Sequence, residues 1–257
     1  MTGEMIALTR AVPPSIGHCE LTHLAREPID VARAARQHHA YEEALAELGC
    51  VVRRLPAMPE HPDSVFVEDT AVVLPELAVL AHPGAPSRRA EVTAVADALR
   101  PYRTLAAIEP PGTLDGGDVL RVGPRVYVGA SGRTNAEGIG QLRAILAEHG
   151  YEVRSVAVAG CLHLKTAVTQ VGDDTVLLNP AWVDARTFDG LGHVEVDPGE
   201  PFAANAVRAG AALLHPAAYP RTRRRLEQRG LDVRPIEADE LARAEAGLTC
   251  CSILLPA

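Results

Sequence analysis

A chain of 257 residues that is 47% hydrophobic can bury a sizeable core, as one large domain or two small ones. Its 33 acidic against 25 basic side chains leave a net charge of −8, which argues against nucleic acid as a partner. No window approaches the roughly 18 apolar residues of a membrane-crossing helix, so no membrane partner is expected.

The segment from Ile6 to Gly17 opens as an apolar strand and closes in a Pro13-Pro14 turn. A helix follows, with Asp30 as N-cap, an apolar face of Val31, Ala34, Ala35, Tyr41, Leu45 and Leu48, and Gly49 as its terminal glycine. A strand from Cys50 to Leu55 completes this unit. The second unit, FVEDTAVVLPELAVLAHPG, predicts two strands joined around Pro75-Glu76, then a helix from Ser87 to Arg100 stopped by Pro101. The third, TLDGGDVLRVGPRVYVGASG, turns at Gly123-Pro124 and leads to a helix that begins with Thr134 and Glu137 at capping-box spacing and ends near Gly150. The fourth, HLKTAVTQVGDDTVLLNP, turns at Gly172-Asp173-Asp174 and precedes a short irregular segment. The fifth, FAANAVRAGAALLHP, turns at Gly210 and precedes a helix from Pro220 to Gly230. The last strand, LTCCSILL, lacks a hairpin partner, which Ile6 to Val12 would supply by closing a ring.

Glu68-Asp69, Asp115, His163, Asn205 and Cys250 stand at the start of successive units, at intervals of 42 to 48 residues. A period of this size marks a repeat architecture in which equivalent points converge in space. The fold expected is therefore α/β: a five-bladed α/β propeller of ββαβ-type repeats, forming a single domain over residues 1–257. Ring closure also protects the edge strands. The competing architecture is an open three-layer α/β sheet. The N-terminal MTGEMIALTRAVPPS lacks the pattern of a signal peptide. Five scattered cysteines, Cys19, Cys50, Cys161, Cys250 and Cys251, do not read as a disulfide framework. Both features point to the cytoplasm.

The converging points carry a thiol, an imidazole and carboxylates, the parts of nucleophilic catalysis. Cys250-Cys251 enters a strand after Gly247, where a thiol can be exposed and reactive. The competing reading is two small buried hydrophobes, and the vicinal spacing fits no common zinc pattern. His163 can hold a thiolate or protonate a leaving group; otherwise it is a buried histidine bonded to backbone. Asp115 opens LDGGDVL, whose glycines allow close backbone approach; otherwise the motif is an ordinary tight turn, with Asp118 capping it. Asp63, Glu68 and Asp69 suit a guanidinium, which offers five donors in a planar fork. A solvated turn is the alternative, yet Glu68-Asp69 lies between apolar Phe66-Val67 and Ala71-Val72-Val73, where unpaired acids are costly.

FVEDTAVV, PGAPSRR, LDGGDVL, SGRTN, LHLK and LTCCS, in this order from about Arg10 to Leu255, resemble the dimethylarginine dimethylaminohydrolase family of the guanidine-modifying penteins. The resemblance implies a propeller with an axial site that hydrolyses Nω-methylated L-arginine to citrulline and a methylamine. It implies no cofactor and no metal; zinc bridging Cys250 and His163 would inhibit by occupying the thiolate. By position, Cys250 is the nucleophile, His163 the general acid/base and Asp115 its orienting carboxylate, where some relatives carry the longer glutamate. Asp69 binds the guanidinium, with Glu68 and Asp63 beside it. Arg88 and Arg133 hold the α-carboxylate, and the carbonyls of Leu21 and Ala244 meet the α-amine. Ala246 stands where relatives often have glycine. The partner implied is a small guanidinium amino acid, and a homodimer is compatible with the sequence. The enzyme alternative is another guanidine-modifying pentein, an arginine deiminase or an amidinotransferase. Deiminases usually carry a second acid at the position of Lys165, the chain's one lysine, and an extra helical region absent here; both departures favour methylated arginine. A propeller of the same fold that only binds needs no such Cys/His/carboxylate set.

Overall fold

The computed structural model describes residues 4–257; Met1 to Gly3, the start of the expected domain, lie outside the described residues. Among the described residues, no helix is long and apolar enough to cross a membrane. In the described residues, fifteen strands form five three-stranded sheets. The strands are β1 (Met5–Arg10), β2 (Cys50–Leu55), β3 (Ala71–Val73), β4 (Leu77–Leu80), β5 (Thr104–Ala107), β6 (Val119–Val122), β7 (Arg125–Ala130), β8 (Glu152–Ala157), β9 (Val168–Gly172), β10 (Thr175–Leu178), β11 (Gly192–Glu195), β12 (Val207–Ala209), β13 (Ala212–Pro216), β14 (Asp232–Ile236) and β15 (Ile253–Pro256). In β3-β4-β5, β6-β7-β8, β9-β10-β11 and β12-β13-β14, an antiparallel hairpin is followed by a crossover to a parallel third strand. The fifth sheet has the same form but is built from both chain ends. β15 pairs antiparallel with β1, Leu8 opposite Ile253, and β1 pairs parallel with β2. The expected ring closure is thus present, and the blades are ββαβ-type repeats, the fourth with a single turn, Ala185–Phe188, in place of its helix.

The first strand of every sheet faces a common axis. An axial cavity of about 250 Å³ is lined by Val72 of β3, Val119 of β6, Thr169 of β9, Val207 of β12 and Ile253 of β15. Helices lie on the outer side, where their apolar stripes meet the second and third strands. These are α1 (Val31–Glu47), α2 (Glu91–Leu99), α3 (Ala136–Ala147) and α5 (Pro220–Glu227); of two four-residue helices, α4 (Leu164–Ala167) lies by the axial strands β6 and β9, and α6 (Asp239–Ala242) packs on α1. On α1, Ala34, Tyr41 and Leu45 recur at helical spacing and pack on Ala7 and Cys50. On α3, Leu142 and Leu146 pack on Val79, Val126 and Val128. Burial of each such leucine stabilises the fold by about 1.5–3 kcal/mol.

Several local expectations hold. Asp30 Oδ1 accepts from Arg33 N at 3.0 Å as the N-cap of α1, and Gly49 has φ +89° at its end. Others differ. The N-cap of α3 is Asn135, whose Oδ1 accepts from Gly138 N at 2.8 Å, and not Thr134. Thr134 is drawn into the interior, donating to Asp118 Oδ2 at 2.7 Å and accepting from Asp115 N at 3.1 Å. The second helix begins at Glu91, because Pro86–Arg88 forms a separate tight turn that aims Arg88 inward. The irregular segment of the fourth unit contains a single turn, Ala185–Phe188, before β11.

Candidate active site

The site is built from the turns that precede the axial strands. Val67–Thr70 leads into β3, Gly116–Asp118 into β6, α4 into β9 and Thr249–Cys251 toward β15. Each turn raises its polar side chains to the same end of the axis, where strand hydrogen bonding has not yet begun. The five equivalent positions of the sequence repeat therefore meet.

His163 is 4% exposed and N-caps α4. Its Nε2 lies 3.0 Å from Asp115 Oδ2, and its Nδ1 lies 3.7 Å from Asp69 Oδ1. Asp115 is fully buried, and its other oxygen accepts from Gly84 N at 2.9 Å. Asp118 Oδ1 accepts from Leu164 N at 2.9 Å, and its Oδ2 takes Ser131 and Thr134 hydroxyls at 2.6 and 2.7 Å. It therefore fixes the backbone beside His163 as well as its own turn. Close approach explains the two glycines: a Cβ at Gly116 would lie 2.0 Å from Glu68 O, and one at Gly117 2.6 Å from Asp69 Oδ1 and 2.7 Å from His163 Nδ1. The Gly117 N–H instead donates to Asp69 Oδ1 at 3.0 Å.

Burial alone would disfavour the imidazolium. The nearby Asp69, the Asp115 hydrogen bond and Asp118 outweigh it and push the pKa of His163 up to about 9. Asp69 is held below the usual carboxylate range; burial opposes this, and His163, Arg88 and Lys165 overcome it. Asp69, Asp115 and His163 each offer a ligand atom within 4.8 Å of the others, and the imidazolium supplies the positive charge that two buried carboxylates require. A raised pKa keeps the cation present at neutral pH. Its contribution to folding stability is full below about pH 6.5 and is lost as pH rises through about 9. A reaction that uses His163 as proton donor is therefore expected to slow as pH rises through about 9. A profile of kcat against pH checks this, and a kcat still rising well above that value would overturn it.

Glu68 is gripped on both oxygens. Lys165 Nζ donates to Oε1, and Thr249 Oγ1 donates to Oε2 at 2.7 Å. Burial raises the Glu68 pKa, with Lys165 and Thr249 opposing. Thr249 is held again by Asn205, whose Oδ1 accepts from Thr249 N and whose Nδ2 donates to Thr249 Oγ1, both at 3.0 Å. Asn205 is thus a clamp on the turn that carries Cys250. Cys250 is 9% exposed, and Gly247 N lies 3.4 Å from its Sγ. Burial, then Asp69 and Glu68, push its thiol far above the ordinary range; the Gly247 amide and Lys165 pull the other way. Cys251 is fully buried, with its S–H directed at Gly247 O at 3.7 Å. Cys19, Cys50 and Cys161 are free and buried, and Cys161 donates to His163 O at 3.4 Å.

The remaining expected residues divide. Arg133 has a side chain 12% exposed, with Nη1 3.9 Å from Asp115 Oδ2. Ala244 is buried and Leu21 half-buried, both against the cluster around Tyr41 and Cys250. Asp63 accepts from Glu20 N at 3.1 Å, in the segment bearing Leu21, and lies near enough to Arg88 and Asp69 to feel both charges. Arg88 differs most. It is 4% exposed and donates to Asp69, to Glu91 at 2.8 Å, and to the carbonyls of Asp63 and Phe66 at 3.1 and 2.9 Å. Its fork is engaged by these protein partners, Asp69 among them. Glu91, Thr249 and Glu245 were not expected at all. The one sequence signal for Glu91 is its place three residues after Arg88, one helical turn away.

A closed ring of five ββαβ blades, with a thiol, an imidazole and paired carboxylates at one end of its axis, is a pentein enzyme framework. The arginine deiminase family model matches residues 95–200. The chain is 34% identical over 234 residues to the N(G),N(G)-dimethylarginine dimethylaminohydrolase of Pseudomonas aeruginosa, covering 90% of this chain and 91% of that one. It is 38% identical over 250 residues to the enzyme of the same name from Streptomyces coelicolor, covering 97% and 96%. Its structure superposes with TM-score 0.94 on the Pseudomonas aeruginosa protein, a cysteine-to-serine variant complexed with citrulline, at 32% identity over 99% of this chain and 100% of that one. The chain belongs to the dimethylarginine dimethylaminohydrolase family.

Proposed function

We propose that this protein hydrolyses Nω-methylated L-arginine to L-citrulline and dimethylamine or methylamine, through a covalent S-alkylthiouronium on Cys250. The observation that carries the reading is the convergence of Cys250, His163, Asp115, Asp69 and Glu68 from separate blades onto one buried cluster. Related enzymes have been captured with citrulline and, in a histidine-to-glycine variant, as an adduct with S-methyl-L-thiocitrulline.

Asp69, ionised and fixed by Arg88 and Gly117, receives the guanidinium. The neutral thiol of Cys250 loses its proton to solvent as that cation enters, because the cation offsets the carboxylates that hold the thiol up. The thiolate adds to the central carbon. His163, already cationic, passes its proton to the departing amine, and the C–N bond breaks to leave a thiouronium. The neutral imidazole then takes a proton from water as the oxygen adds to the same carbon. Loss of the C–S bond releases citrulline and the thiol.

Arg133, next to Asp115, suits the α-carboxylate, and the carbonyls of Leu21 and Ala244 suit the α-amine. The Lys165–Glu68 pair favours a methylated substrate: one oxygen of Glu68 is already occupied by an ammonium, so the site grips the guanidinium with fewer carboxylate contacts. Residues 1–257 act as one catalytic unit without cofactor or metal. The free, buried cysteines are consistent with the cytoplasm, and a homodimer is compatible with this activity.

The test is citrulline release from asymmetric dimethylarginine and, separately, from arginine. Turnover of the methylated substrate alone is expected. Ammonia release from arginine at comparable kcat/KM would make the protein a deiminase and overturn the argument from Lys165.

A further inference from the structure

We propose that Glu245 is a positioning residue, whose carboxylate latches residues 20–24 across the site and so sets the carbonyls of Leu21 and Ala244 for the substrate α-ammonium. The inference rests on the methylarginine reading above and adds to it the device that builds the amine subsite.

Three successive backbone N–H groups converge on this one carboxylate. Thr22 N donates to Oε2 at 2.7 Å, and His23 N and Leu24 N both donate to Oε1. The segment from residue 19 to 30 has no helix or strand to order it. A carboxylate accepting several amides supplies the order that a hydrogen-bonded ladder would otherwise provide. A second carboxylate holds the near side: Glu20 N donates to Asp63 Oδ2 at 3.1 Å, and Ser87 Oγ donates to Glu20 Oε1 at 2.8 Å. Arg26 closes the base of the loop on the carbonyls of Gly17 and Cys19, at 2.7 and 2.6 Å. Leu21 therefore lies between two carboxylate anchors, Asp63 before it and Glu245 after it.

The latch has a backbone signature. Among the described residues, Glu245 is the one non-glycine with positive φ, at +56°. That region is sparsely used by residues with a Cβ and persists where surroundings over-determine it. The contorted backbone turns the Glu245 side chain to the loop while Ala244, immediately before it, stays buried at 4% exposure. The same turn runs on through Gly247 to Cys250. One residue thus links the loop bearing one expected amine acceptor, the backbone bearing the other, and the turn of the nucleophile. An ammonium has three donors and no acceptor, so carbonyls held in register are what discriminate an α-amino acid from a simple guanidine.

The experiment compares asymmetric dimethylarginine with its analogue lacking the α-amine, 5-(N,N-dimethylguanidino)pentanoate, on wild type, Glu245→Gln and Glu245→Asp. Affinity is read as KM or, where turnover is slow, as an inhibition constant. Glu245→Gln places an amide donor against the backbone N–H groups. It is expected to raise KM for dimethylarginine about tenfold or more, with kcat changed less than about threefold and the des-amino analogue shifted less than about twofold. Glu245→Asp, which keeps the charge, is expected to recover part of the loss. Hydrogen exchange at the amides of Thr22, His23 and Leu24 is expected to be slow in wild type and fast in Glu245→Gln. Equal losses for both ligands, an unchanged KM, or equally fast exchange in wild type would each overturn the proposal. If Glu245→Gln fails to fold, wild-type exchange and Glu245→Asp kinetics decide it. If wild type turns over no methylarginine, the functional reading fails, and the exchange rates still judge the latch.

Discussion

Cys250→Ser is expected to lower turnover of asymmetric dimethylarginine about 10⁴-fold or more, while Cys251→Ser keeps most of it. The two thiols are adjacent and both buried, so position distinguishes them. Cys250 stands beside Asp69 and Glu68 and takes the Gly247 amide at 3.4 Å. Cys251 is fully buried, and its S–H is committed to the Gly247 carbonyl. A serine hydroxyl at residue 250 is a weaker nucleophile with a far higher pKa, and the carboxylates around it would hold its proton still more firmly. Burst and steady-state citrulline release on both variants measures the difference. Loss in Cys251→Ser with retention in Cys250→Ser would reverse the assignment.

Arg88→Met is expected to be the most damaging single change to stability in the site. It removes a buried cation from between Asp69 and Glu91 and leaves the carbonyls of Asp63 and Phe66 without their donor. Breaking a buried pair by removing one partner costs about 3–5 kcal/mol. In a domain of this size that lowers the midpoint of thermal unfolding by roughly 6–20 °C. The variant also separates two roles. If Arg88 acts by orienting Asp69, affinity for dimethylarginine and for dimethylagmatine, which lacks the α-carboxylate, falls by similar factors. A loss confined to dimethylarginine would show that Arg88 releases its protein partners and binds the carboxylate itself.

The ring and its active end were legible because the information is local and repeated. Each axial strand is short and apolar, each is preceded by a polar turn, and the turns recur at nearly constant spacing. Asp30 and Gly49 marked α1 because each acts locally, Asp30 through its side-chain oxygen on Arg33 N and Gly49 through its left-handed backbone. Competition for one side chain was not legible. Thr134 reads as a helix cap, yet Asp118 and Asp115, distant in sequence from its helix, claim its hydroxyl. The run PSRR gives no sign that Arg88 turns inward and Arg89 does not. Lys165 was visible only as a departure from a pattern; its pairing with Glu68 depends on two blades meeting across the axis. Glu245 was hidden for a different reason: nothing in the letters ARAEAG signals a left-handed backbone at glutamate.

The strand that seals the ring begins at Ile253, just beyond the nucleophile, and its partner β1 begins at Met5. The amide of Ala257 reaches the carbonyl of Glu4 at 2.8 Å, so the two ends of the described chain touch. His163, Asp69 and Asp115 come from sheets whose strands pair locally and can assemble without this seam. Cys250 cannot: its turn is tethered to a strand whose only ladder in this sheet is the one to β1. The place of the nucleophile therefore rests on the closing ladder between the two chain ends as well as on the Thr249 contacts with Asn205 and Glu68. A molecule with four blades intact and the seam unzipped would keep most of its secondary structure and a preassembled acid–base cluster, yet have no sulfur in place to react.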